Sequence, residues 1–189
     1  MEESDPALVA RALRGDDAAF QLLTERHSQS VFHLAYRMTA NEQDAEDVVQ
    51  ETFLRAFRNL KRYESRSLFS TWLYRIAANY TVDLMRSRKR FVDPAAASHE
   101  NSDWLNDVAW NGPTAERLAI SSQIRENIGK AMGQLSAQER TAFVLRHYHE
   151  LSIEEIGGTL GLGENATKHS IFRAVRKLRR ALEPLIERV

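Results

Sequence analysis

The sequence predicts an all-α chain: two small helical domains joined by a flexible acidic linker, the second containing a helix-turn-helix. Three observations carry this. Apolar side chains recur at helical spacing while strand-like alternation is nowhere comparable. No glycine or proline lies between Gly15 and Pro94, so nearly eighty residues run without the strongest backbone punctuators. The stretch FVDPAAASHENSDWLNDVAWNGPT, from Phe91 to Thr114, instead gathers Pro94 and Pro113 with small polar residues and acids, which is linker composition.

The elements follow in order. Early helices are expected over roughly 6 to 14, 16 to 26 and 28 to 39. Ala45, Val48, Val49, Thr52, Phe53, Ala56, Phe57 and Leu60 form an i, i+3, i+4, i+7, i+8 stripe, the apolar face of the next helix. After a loop expected at Lys61 to Ser67, another helix reads Phe69, Trp72, Leu73, Ile76, Ala77, Tyr80 and Leu84. Domain limits are expected at 1–90 and 116–189, with 91–115 as linker. Its Trp104, Leu105 and Val108 suit one docking turn, on this chain's own domains or on another protein. Beyond it a helix is expected from Ala115 to Leu135. Ser136 with Glu139, and Ser152 with Glu155, carry the capping-box pattern that starts two more helices. The last helix, Glu164 to Ile186, has an apolar face at Thr167, Ile171, Ala174, Leu178, Leu182 and Leu185.

The chain has 189 residues, with 26 Lys+Arg against 26 Asp+Glu and no cysteine. That excludes disulfide scaffolds and cysteine-ligated metal sites. No apolar run is long enough to span a bilayer, and the start MEESDPALVARAL lacks a signal-peptide pattern, so a cytoplasmic protein without membrane insertion is expected. The zero net charge hides a sorting along the chain. Residues 1–60 carry 6 basic and 11 acidic groups, residues 61–90 carry 8 and 2, and residues 91–115 carry four acids and no Lys or Arg. Residues 161–189 carry 7 basic groups against 3 acidic ones.

Within Ser152–Leu182 a short amphipathic helix, a glycine turn at Gly161 to Gly163 and a longer basic helix have helix-turn-helix layout. The second helix of such a motif enters the major groove. Asn165, Lys168, His169, Phe172, Arg173 and Arg176 are expected on its solvent face, although a merely solvated basic helix would look similar. Gly161 to Ala166 also matches G-x-G-x-x-A, but the segment before it reads as helix, and a dinucleotide fingerprint needs a strand there. In the first domain Lys61, Arg62 and Arg66 interleave with Tyr63, Phe69, Trp72 and Tyr74, a mixture suited to unpaired bases. Phe69, Trp72 and Tyr80 share the core stripe, which leaves Tyr63 freer to meet a base. Asn79, Asp83 and Arg86 form a polar ridge at i, i+4, i+7. Asp44, Asp47 and Glu51, with Glu46 and Gln50 beside them, form an acidic face that repels DNA and suits a basic protein partner. No P-loop, G-x-S-x-G, H-E-x-x-H or cysteine nucleophile is present, so no enzyme, metal or cofactor is expected. His147 and His149, two apart on a helix, point to different sides.

DAEDVVQETFLRAFRNL (44–60), FSTWLYRIAANYTVDLMRSRKR (69–90) and LSIEEIGGTLGLGENATKHSIFRAVRKLRRAL (151–182) together resemble the extracytoplasmic-function (ECF) group of bacterial RNA polymerase sigma factors, and the likeness covers nearly the whole chain. The resemblance implies a non-enzymatic initiation factor that binds core RNA polymerase, recognises a bipartite promoter and helps melt its −10 element. Residues 6–90 would be region 2 and 116–186 region 4. Asp47, Gln50 and Glu51 match the D-x-x-Q-E that grips the coiled-coil of the largest polymerase subunit. Lys61, Arg62, Tyr63 and Arg66 of the loop, with Asn79 and Arg86 of the ridge, would open the −10 element and capture a flipped base. Lys168 and Arg173 match basic positions of the helix that reads the −35 duplex. Gly163 stands where the family commonly has a serine cap, and Ser170 where it has an arginine; His169 and Phe172 are then expected to supply a different readout, with Asn165 a direct base contact. An extended linker of about 24 residues reaches roughly 80 Å, enough for two DNA sites about 70 Å apart. An anti-sigma protein is a further partner left open. Two other readings remain on the residues alone: a stand-alone helix-turn-helix repressor, and an adaptor working through its acidic helix.

Overall fold

The computed structural model describes residues 3–65, 67–91 and 127–186, and among these every regular element is a helix. Pro6 sits in the first turn of α1 (Asp5–Leu13), where its missing N–H costs nothing. Asp16 starts α2 (Asp17–Thr39) by accepting the Ala19 N–H at 3.2 Å. Two helices were expected here, and one is found. Ser28, where the second was expected to begin, turns its hydroxyl back to the Glu25 carbonyl (3.3 Å) and is satisfied within the helix. The buried stripe Leu23, Val31, Leu34, Ala35 and Met38 then runs on unbroken. Asn41 caps α3 (Glu42–Asn59) through the Asp44 N–H at 2.8 Å, and a single 3₁₀ turn, Leu60–Arg62, leads towards α4 (Phe69–Phe91).

The chain divides into two compact units, Met1–Leu84 and Met85–Val189. In the first, α2 packs on both α1 and α3 around Leu8, Leu23, Leu34, Met38, Val48 and Leu73. In the second, residues 127–133 form α5, followed by α6 (Ala137–His147), α7 (Ile153–Leu160) and α8 (Glu164–Ile186). Both expected capping boxes are formed. Ser136 Oγ accepts the Glu139 N–H and Glu139 returns a carboxylate oxygen to the Ser136 N–H (3.1 and 3.0 Å); Ser152 and Glu155 repeat this at 3.2 and 2.8 Å. Helices α6, α7 and α8 pack pairwise around Leu145, Ile156, Ala174 and Leu178. Of the expected linker 91–115, Phe91 is the last residue of α4 and the rest, with Trp104, Leu105, Val108 and Trp110, lies outside the described residues, as does the first part of the Ala115–Leu135 helix.

Glu150, between α6 and α7, takes φ 55°, a left-handed conformation that costs a residue with a Cβ about 1–2 kcal/mol. Its side chain is exposed. Glu150→Gly is therefore expected to stabilise the second unit by about 1 kcal/mol. Amide exchange in α6 and α7 of the full chain checks this, and unchanged or faster exchange would show that the glutamate side chain offsets its strain.

Candidate protein and nucleic-acid interfaces

Helix α3 presents Glu46, Asp47 and Gln50 to solvent. Asp44, expected on the same face, is only 3% exposed. It occupies the first turn, where a short acidic side chain is favoured by the helix dipole, and the acidic surface begins one turn later. Glu51 is half-buried: its carboxylate accepts from Arg55 Nε at 2.6 Å, and the Arg55 guanidinium lies 4.7 Å from the ring centre of Tyr80 on α4. Glu51 thus belongs both to the acidic face and to the strut joining α3 to α4. Beside it an open groove of about 350 Å³ runs between α2 and α3, lined by Ser28, Gln29, Phe32, Glu46, Val49 and Gln50. The α2 wall of that groove carried no signal in the sequence, because its residues are distant along the chain. Phe57, expected in the core, is 53% exposed at the far end of α3, its ring 5.0 Å from Phe20.

In the 3₁₀ turn, Lys61 and Arg62 are exposed, as are Asn79, Asp83 and Arg86 along one ridge of α4. Arg66 lies outside the described residues. Tyr63 is not free, contrary to expectation. Its hydroxyl donates to the Ser67 carbonyl (2.6 Å), and its ring packs 5.5 Å from Phe69 and 5.2 Å from Trp72. Burial pushes its hydroxyl above the ordinary tyrosine value. Tyr63 therefore shapes the loop, and the most exposed apolar side chain there is Leu68, at 74%.

On α8, Asn165, Lys168, His169, Phe172, Arg173 and Arg176 are all exposed, while Thr167, Ser170, Ala174 and Leu178 are buried. Phe172 is 62% exposed, with the Arg176 guanidinium 6.0 Å from its ring centre. Ser170, which stands at a position of the expected readout, faces inward: it accepts from Gln138 Nε2 (3.0 Å) and donates to the Ala166 carbonyl (2.9 Å). The turn before α8 is closed by Gly161 at φ 66°, with the Leu162 N–H donating to the Gly157 carbonyl at 2.9 Å. The G-x-G-x-x-A match follows helix α7, so the strand required for dinucleotide binding is absent at that point.

Residues 23–91 match sigma-70 region 2, and residues 125–178 match sigma-70 region 4. The chain is 32% identical over 179 residues to the ECF RNA polymerase sigma factor SigW of Bacillus subtilis, covering 94% of this chain and 96% of that one. This protein belongs to the ECF sigma factors. It is 32% identical over 191 residues to the ECF RNA polymerase sigma-E factor of Escherichia coli, covering 98% and 97% of the two chains. Among solved structures it is similar to CnrH in complex with the cytosolic domain of CnrY, with 27% identity, TM-score 0.65 and coverage of 96% and 99%. As an ECF sigma factor it is a transcription initiation factor. No helix among its described residues is long and apolar enough to cross a membrane.

Two cross-links of this sigma factor's second unit were invisible in the sequence because they join residues more than thirty apart: Gln138 to Ser170, and Lys177 Nζ to Glu139 Oε2 at 2.6 Å. Lys177 therefore braces α8 against the start of α6. Burial tends to raise the Glu139 carboxyl, but the hydrogen bonds from Lys177 and the Ser136 N–H outweigh it and hold the group below the ordinary carboxylate range. A carboxyl lowered in the fold contributes stability that is present above its unfolded value and lost as pH falls through its folded one. The second unit is thus expected to loosen as pH drops below the ordinary carboxylate range. Glu139→Gln should flatten that dependence in α6 and α8 amide exchange, and an unchanged pH profile would remove Glu139 as its source.

Proposed function

We propose that this ECF sigma factor binds core RNA polymerase through Asp47, Gln50 and Glu51 of α3, and brings the enzyme to a bipartite promoter. Lys61, Arg62, Tyr63, Arg66, Asn79 and Arg86 serve the −10 element: the cations follow the backbone, Asn79 meets an unpaired base, and Tyr63 holds the loop in shape. Asn165, Lys168, His169, Phe172, Arg173 and Arg176 serve the −35 duplex from the major groove. The observation that carries this reading is the division of α8. All six of those side chains are exposed, while Thr167, Ser170 and Ala174 between them, and Leu178 beyond, are buried.

Residues 1–90 and 116–189 act as the two DNA-binding domains and 91–115 as the tether, whose acidity keeps it off the duplex. RNA synthesis is the polymerase's chemistry, and the site of action is the cytoplasm. Since CnrH forms a complex with the cytosolic domain of CnrY, a regulatory protein of that anti-sigma kind is the partner proposed for restraining this chain.

Transcription reconstituted from core polymerase, genomic fragments and the full chain tests the reading. New start sites sharing an upstream two-part motif are the expected result. No new starts, from core that responds to its primary sigma factor, would overturn it; binding to a palindrome without polymerase would favour a repressor.

A further inference from the structure

Six cations, Lys168, Arg173, Arg176, Lys177, Arg179 and Arg180, follow one another along α8, and a single acid, Glu164, stands ahead of them. Its carboxylate lies 2.5 Å from Lys168 Nζ, and the two side chains are 69% and 55% exposed. The hydrogen bond from Lys168 lowers the Glu164 carboxyl. Glutamate four residues before lysine is the favourable order on a helix, and the pair is net neutral. On a surface facing a polyanion that is costly: the acid meets phosphates unfavourably and also withdraws Lys168 from them. A role in reading bases accounts for the pair where phosphate binding does not.

A carboxylate only accepts and an ammonium only donates. In the major groove the donors are the amino groups of cytosine and adenine, and the acceptors are guanine O6 and N7, adenine N7 and thymine O4. A G·C pair sets the cytosine amino group beside guanine O6, the mirror image of a carboxylate beside an ammonium. An A·T pair adds the thymine methyl, whose apolar bulk would confront two charges. We propose that Glu164 and Lys168 form one reading unit for a G·C base pair in the upstream promoter element, Glu164 accepting from the cytosine amino group and Lys168 donating to guanine. The inference rests on the proposed placement of α8 in the major groove, where the first turn of a recognition helix meets base edges.

The test uses holoenzyme made with the full chain and a promoter library randomised in the upstream element, with base preferences read from transcripts. Wild type is expected to favour G·C at one position. Glu164→Ala should weaken that preference by about tenfold and leave other positions unchanged. It should also steepen the salt dependence of promoter binding, because Lys168 is released towards phosphate. Glu164→Gln should shift the same position towards A·T, since an amide pairs with adenine N6 and N7. A Glu164→Ala profile identical to wild type overturns the proposal, as does a Glu164-dependent position that prefers A·T in the wild type. Wild-type holoenzyme indifferent to the whole upstream element would fail earlier. It would remove α8 from the groove before any variant is compared, and the reading unit with it.

Discussion

Alanine at Gly157 is expected to destabilise the second unit by about 1–3 kcal/mol, whereas alanine at the adjacent Gly158 is expected to be neutral or stabilising. A Cβ at Gly157 would lie 2.8 Å from the Leu162 carbonyl oxygen and 3.1 Å from Thr167 Oγ1. Neither neighbour can yield easily. The Leu162 N–H closes the turn onto the Gly157 carbonyl itself (2.9 Å), and the Thr167 hydroxyl is held by the Gly163 carbonyl (3.1 Å). Relief would have to come from moving α7 away from α8, which disturbs the packing of Ile156 and Ala174, both fully buried. At Gly158 nothing lies within 4 Å of the added carbon, and the helical backbone gains up to about 1 kcal/mol in propensity. Amide exchange across α6, α7 and α8 separates the two variants. Gly157→Ala should also weaken promoter binding, because the turn sets the aim of α8, the helix proposed to enter the major groove. Equal effects of the two substitutions would show that close approach at Gly157 does not govern the motif.

How much could be read from the sequence tracks how local each signal is. The capping boxes at Ser136 and Ser152, the glycine turn at Gly161 and the outward face of α8 depend on residues a few positions apart, and periodicity alone exposes them. The helices expected over 16–26 and 28–39 are one, because the buried stripe continues through Val31 and Leu34 and Ser28 bonds back within the helix. Asp44 was misleading because a helical wheel does not show how tightly a first turn is packed. Tyr63 was misread for a different reason: its partners Phe69 and Trp72 stand on the next helix, and their geometry turns a loop aromatic into a packed one. Lys177 counted simply as part of a basic block. Its commitment to Glu139 exists only once α6 and α8 are side by side.

Charge reversal at Asp47 is expected to lower affinity for core polymerase by at least about tenfold, ~1.4 kcal/mol, without affecting folding. Asp47 is exposed in the second turn of α3, so a lysine there meets solvent in the free protein and a basic partner in the proposed complex. Glu51→Lys is a different experiment. It would set an ammonium beside Arg55, remove the 2.6 Å ion pair and loosen the guanidinium from Tyr80, so the strut between α3 and α4 would weaken together with the interface. Its loss of polymerase binding should therefore come with faster amide exchange in α3 and α4, while that of Asp47→Lys should not. Titrating core polymerase with each variant at two salt concentrations distinguishes them further. The Asp47 effect should shrink as salt rises, because it acts between charges at an exposed rim, and the Glu51 effect should persist in part because it also acts through the fold. Wild-type affinity in Asp47→Lys would remove the acidic face of α3 as the polymerase contact. Reduced binding by Glu51→Lys alone would then reflect a disturbed α3–α4 packing, with the enzyme held elsewhere on the chain.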